Sequence, residues 1–138
     1  MNVKFPIKII IQDNKFRATT TLEQLNTRAK TISYDLNYIE IDYDSMVKTI
    51  QYLFSQTHGK KINLRIYWLI GDHIDSFLNR LDRIGYYLVA QDLTIGKSLG
   101  ISKSTIYRIR ALRKKFENPV DIDPKMLWSD YLQKEKNK

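Results

Sequence analysis

The chain has 138 residues and a mass of 16.4 kDa, room for one compact domain or one domain with a small appendage. It contains no cysteine, which excludes disulfides, thiolate metal sites and thiol catalysis. Lys and Arg number 23 against 15 Asp and Glu, a formal net charge of +8, and that excess favours an anionic partner such as nucleic acid or an acidic membrane surface.

Val3, Phe5, Ile7, Ile9 and Ile11 alternate with Asn2, Lys4, Pro6, Lys8 and Ile10, the period of a strand. Pro6 cannot donate a ladder hydrogen bond, so the strand is expected at a sheet edge. Asp13, Asn14 and Lys15 read as a turn. Thr20 followed by Glu23 forms a capping box, and Leu22, Leu25, Ala29, Ile32 and Leu36 continue it as an amphipathic helix. Residues 38–43 alternate again and predict a short second strand. A second helical stripe then runs through Tyr43, Met46, Val47, Ile50, Leu53 and Phe54 and ends near His58 and Gly59.

Ile62, Ile66, Ile70, Ile74, Phe77, Leu81 and Ile84 fall on one face of a long helix, widened by Tyr67, Trp68 and Leu69 and stopped by Gly85. Further helices are expected over about 86–99 and 103–117, the latter stopped by Asn118 and Pro119. Asp123 and Pro124 start a short last helix carrying Met126, Leu127, Tyr131 and Leu132, and residues 134–138 read as a disordered basic tail. The expected fold is mainly α, a helix-turn-helix helical domain with a short N-terminal β-strand or small β element. Residues 1–58 form an N-terminal region for dimerisation or a protein partner, and residues 59–133 the helical domain.

The charge is concentrated. Lys103, Arg108, Arg110, Arg113, Lys114 and Lys115 carry six positive charges with no acid between them. They lie in the stretch DLTIGKSLGISKSTIYRIRA, residues 92–111, and just beyond it. That stretch fits the twenty-residue helix-turn-helix template. Two helices crossing steeply need a small residue where their backbones approach, and Gly96 is fifth in the window. The turn needs a residue that tolerates positive φ, and Gly100 is ninth. Ile95, Leu99, Ile101, Ile106 and Ile109 occupy the positions that lock the two helices together.

The outward residues carry the function. Ser102 is the expected N-cap of the second helix, whose free N–H groups and dipole suit a phosphate. Ser102, Lys103, Ser104, Tyr107 and Arg108 are expected to reach base edges in a major groove, with Arg108 suited to guanine. Lys97, Arg110, Arg113, Lys114 and Lys115 are expected on phosphates. A membrane-surface helix would need a broad apolar face to insert, whereas Ile106 and Ile109 are needed inside the motif. Asp72, His73 and Asp75 resemble a metal cluster, but on a helix they point in different directions and read as a solvated face. Neither His58 nor His73 has a nucleophile beside it, and the nine tyrosines lack recombinase-type Arg and His partners. No metal, cofactor or catalytic residue is expected.

Tyr67, Trp68, Ile70, Gly71 and Ile74, then Asp92, Leu93, Thr94, Gly100 and Ser102, then the helix from Arg110 to Pro119, carry a family resemblance. Over about residues 64–119 the chain resembles the N-terminal domain of a family of bacterial restriction-type nucleases of the PD-(D/E)XK class. The resemblance implies a helical DNA-recognition module. Only about twenty residues follow Pro119, so no nuclease domain is expected and no catalytic residue is carried over.

The expectation is thus a sequence-specific double-stranded DNA-binding protein, a homodimer reading two half-sites, acting as a transcriptional regulator or a plasmid- or virus-type DNA-organising factor. One alternative is an accessory subunit that lends DNA recognition to a separate enzyme. Another is a protein-interaction module whose helix-turn-helix is structural. A ribbon-helix-helix dimer, with Lys4 and Lys8 inserted from a paired strand, ranks behind these. The chain has no apolar run of about 18 residues to span a membrane, and its start, MNVKFPIKII, lacks a small-residue cleavage site. A cytoplasmic, nucleoid-associated protein is therefore expected.

Overall fold

A computed structural model describes residues 6–56 and 63–136. Val3, Lys4, Phe5, His58, Gly59 and Ile62, named above, lie outside the described residues.

Two strands open the fold, β1 (Ile7–Gln12) and β2 (Lys15–Thr19), paired antiparallel. Asp13 and Asn14 join them with φ of 53° and 63°. Two successive residues at positive φ make the tight turn whose twist matches a hairpin. The sequence reading found the turn and missed β2, although Phe16 and Ala18 alternate with Lys15, Arg17 and Thr19. A third strand, β3 (Tyr86–Leu88), pairs parallel with β1, giving the order β2-β1-β3. The first strand is therefore central rather than at an edge. Pro6 avoids conflict by lying just before the ladder, and the first bond runs from Ile7 N–H to the Gly85 carbonyl at 2.9 Å. With β2 on one side and β3 on the other, Ile7 to Ile9 of β1 are not free to pair with a second copy, which argues against the ribbon-helix-helix arrangement.

α1 (Leu22–Ser55) is a single 34-residue helix where two helices and a strand were expected. Residues 38–43 belong to it. Ile32, Ile39, Tyr43, Met46 and Ile50 are buried at helical spacing, and this longer period overrides the local alternation. Thr21 rather than Thr20 is the N-cap, its side chain accepting from Gln24 N–H, and the helix kinks at Arg28 (φ −124°, ψ 18°). α2 (Leu64–Arg83) is the central helix expected from its stripe; Leu64, Ile70 and Ile74 are fully buried. After β3 come α3 (Gln91–Leu99), α4 (Lys103–Lys115) and, beyond a 3-10 turn at Pro119–Asp121, α5 (Trp128–Lys136). Tyr86, Tyr87 and Leu88 thus leave the expected helix for the sheet. Lys134 to Lys136, expected as a tail, are helical.

One hydrophobic cluster runs across the boundary drawn near residue 58, taking in Ile7 and Ile9 of β1, Ile39 and Tyr43 of α1, Phe77 of α2, Leu88 of β3 and Ile106 and Ile109 of α4. Phe16, Tyr43 and Phe77 meet edge to face at 5.5 and 5.4 Å between ring centres. Arg80 reaches both carboxylate oxygens of Asp42 at 2.9 Å, tying α2 to α1. The C-terminal segment folds back on α2, where Arg65 donates to the Ile122 and Val120 carbonyls and Tyr67 stacks on Trp128 at 4.3 Å.

Candidate nucleic-acid interface

α3 and α4 are joined by three residues, 100–102. Ile95, Ile106 and Ile109 are fully buried between them, with Leu99 and Ile101 partly buried. A Cβ on Gly96 would stand within 3.0 Å of the Ile101 carbonyl oxygen, so only glycine allows this approach. Gly100 has φ +72°, the left-handed conformation that ends α3, and Ile101 N–H closes the turn on the Gly96 carbonyl at 2.8 Å. Ser102 caps α4 through its hydroxyl, which accepts from Thr105 N–H at 3.2 Å.

α4 is held on its other side by α2. Gly71 lets the backbones close, since a Cβ there would lie 2.9 Å from Arg113 Cβ and from the Ile109 carbonyl oxygen. Beside that contact Asp72 and Asp75 face Arg113 and Arg110, two acids three apart against two arginines three apart. Arg113 Nε donates to Asp72 at 2.9 Å, and its guanidinium lies 4.3 Å over the Trp68 ring. Arg110 Nε donates to Asp75 and its Nη1 to Asp92 of α3, each at 2.9 Å. Burial works against the charge on Arg110, but the hydrogen bonds it donates to Asp92 and Asp75 outweigh it and raise its affinity for the proton. Lys115 pairs with Glu135 of α5 and lies near the Tyr131 ring.

These pairs engage three of the five side chains expected on phosphate. Arg110, Arg113 and Lys115, expected on phosphates, are held by carboxylates of α2, α3 and α5. Asp72 and Asp75 are their partners rather than a solvated face, and among the described residues no group of three or more ligands could hold a metal ion. Lys97, Lys103, Arg108 and Lys114 are exposed and make no ion pair or side-chain hydrogen bond with another described residue.

Lys103, Ser104, Tyr107 and Arg108 line an open groove of about 690 Å³ together with Leu93 of α3, Tyr87 of β3 and the paired Asp92 and Arg110. Arg108 also borders a second concavity, shared with Ser129 and Leu132 of α5, so it stands on a ridge between the two. Four of the five residues expected to read bases are therefore together, with Ser102 at the helix start behind them. Tyr87 and Leu93 were missed. Reading residues 86–88 as a helix hid the face that Tyr87 occupies. No family model, curated protein or solved structure matches this chain.

Proposed function

We propose that this protein binds double-stranded DNA sequence-specifically, with α4 in the major groove, as a regulator or DNA-organising factor. The observation that carries the reading is the division of the basic side chains of α4. Arg110 and Arg113 fix the helix to the body, while Lys103, Arg108 and Lys114 are exposed with no ion-pair partner among the described residues. Unpaired like charges on a rigidly held helix repel one another, and an anionic partner relieves that repulsion. Ser104, Tyr107 and Arg108 then face base edges, and Lys97 and Lys114 face phosphates.

Two half-sites need two copies. We assign the contact between copies to the outward side of α1, where Tyr34, Tyr38, Ile41 and Tyr52 are 82%, 57%, 71% and 62% exposed. With Ser45 and Lys48 they form a line of alternating four- and three-residue steps, the spacing of a helix-pairing seam. An antiparallel second copy with Ser45 on the two-fold axis sets Tyr38 against Tyr52.

Duplex binding across a salt series, with Arg108→Ala and Lys114→Ala, tests the DNA reading. Arg108→Ala relaxes sequence preference, losing roughly 1–3 kcal/mol of discrimination. Lys114→Ala weakens all duplexes alike and flattens the salt slope by about 1. Absence of duplex binding at low salt would falsify the proposal.

A further inference from the structure

We propose that the outer face of the three-stranded sheet is a second duplex-DNA contact surface, gripping backbone phosphates beside the groove that α4 enters. This inference rests on the DNA-binding reading above and adds a surface to it. The ladder register carries it. Lys8 stands opposite Thr19 on β2 and Tyr87 on β3, Ile10 opposite Arg17, and Gln12 opposite Lys15. Partners across a ladder point to the same face, so Lys8, Lys15, Arg17 and Tyr87 share the solvent side. The other side is the core side, with Ile7, Ile9, Tyr86 and Leu88 buried.

Among the described residues the face thus holds three cations and no carboxylate. The nearest acid in the hairpin, Asp13, sits in the turn. Arg17 Nη2 donates to Gln12 Oε1 at 2.8 Å, and Lys8 and Lys15 have no side-chain partner among the described residues. Lysine on an exposed edge strand commonly blocks pairing with other sheets, which accounts for Lys15. It does not account for Lys8, which is on the central strand. Like charges gathered on one sheet face destabilise it, and an anion laid across them reverses that effect.

The face is also continuous with the α4 surface. Tyr87, the neighbour of Lys8, lines the groove with Lys103, Tyr107 and Arg108. On the far side of α3, the hairpin end from Ile11 to Asn14 forms a concavity with Leu93 and Lys97. Leu93 borders both hollows, so the sheet, α3 and α4 form one continuous surface, on which Asp13 lines one hollow and Asp92, paired with Arg110, the other. A single exposed aromatic on the sheet makes no stacking platform for unpaired bases, so duplex phosphates rather than a single strand fit it.

The test is the full-length variant with Lys8→Ala, Lys15→Ala and Arg17→Ala combined, with thermal melting confirming that it folds. A second variant, with Lys15→Gln and Arg17→Gln, keeps the size of the side chains. Binding is measured across a salt series on a long duplex and on a single strand. The expected result is a log–log salt slope shallower by about 2.7 for the triple variant and about 1.8 for the double, at about 0.9 per phosphate contact, with sequence preference unchanged. An unchanged slope with duplex binding intact overturns this surface and leaves the α4 reading standing. A loss confined to the single strand overturns the duplex assignment, and failure of the wild-type chain to bind duplex overturns both.

Discussion

Replacing Gly96 by alanine probes how the α3–α4 turn is built. In an unconstrained helix interior, Gly→Ala stabilises by about 1 kcal/mol. At Gly96 the added methyl would come within 3.0 Å of the Ile101 carbonyl oxygen, a backbone atom that cannot rotate aside. The Gly96 carbonyl meanwhile accepts from Ile101 N–H at 2.8 Å, so moving the turn outward strains that bond as well. Overpacking costs about 1–3 kcal/mol and the weakened hydrogen bond about 1 kcal/mol. After the helical gain, a net loss of about 2 kcal/mol is expected. Gly100→Ala is the control, because an added Cβ there meets nothing within 4 Å but φ is +72°. Its cost is the left-handed conformation alone, about 1 kcal/mol. Urea unfolding followed by far-ultraviolet circular dichroism reads both as midpoint shifts at constant slope. A Gly96→Ala chain as stable as the wild type would refute the close-approach reasoning.

Arg110→Ala leaves Asp75 and Asp92 facing each other without their shared cation. With about one-fifth of each side chain exposed, a loss of about 2 kcal/mol is expected in urea unfolding, and the salt slope of DNA binding stays unchanged. A stable variant with a shallower slope would place Arg110 on phosphate instead. The Tyr86 hydroxyl donates to Asp35 at 2.6 Å, and burial first, then that bond, raise its pKa above 10.0. Its folded value exceeds its unfolded one, so its contribution to stability is whole below about pH 10 and lost as pH climbs beyond. Tyr86→Phe should be less stable at neutral pH yet decline less steeply in alkali, as read by thermal melting; an identical alkaline decline counts against the assignment. Burial also raises Tyr43, Tyr67 and Tyr131, so some decline persists in the variant. Ile41→Glu places a charge at the middle of the α1 seam. Sedimentation should show a folded monomer, melting lower than the wild type by the stabilisation that dimerisation gives, and a persisting dimer would move the contact elsewhere.

The legible parts of the fold are those with long periods. The stripe of α2, from Ile66 to Leu81, and the spacing of Gly96 and Gly100 about the turn are visible because each rests on residues close in sequence. β3 left no periodic signal, since three residues carry no period and its partner β1 lies some eighty residues earlier. The pairing of Asp72 with Arg113 and Asp75 with Arg110 was invisible for a related reason. Each pair looks like a solvated run on its own helix, and only the antiparallel packing of α2 on α4 brings them together. The same limit applies to the candidate site: helix phase gathers Lys103, Ser104, Tyr107 and Arg108 on one groove, whereas the partners of Arg110, Arg113 and Lys115 are acids on other elements, Asp72, Asp75, Asp92 and Glu135.

That redistribution changes how a salt titration must be interpreted. By sequence, Lys97, Arg110, Arg113, Lys114 and Lys115 are five cations expected on phosphate. In the fold, Arg110, Arg113 and Lys115 are held by carboxylates, and the proposed sheet contact adds Lys8, Lys15 and Arg17 to the two that remain, again five. If all five meet phosphate, either set gives a total slope of about 4.5. The total therefore cannot tell a single basic helix from a surface shared between helix and sheet. Only the residue-resolved slope can. Removing Arg113 should lower stability without shedding a counterion, whereas removing Lys15 should shed one without lowering stability.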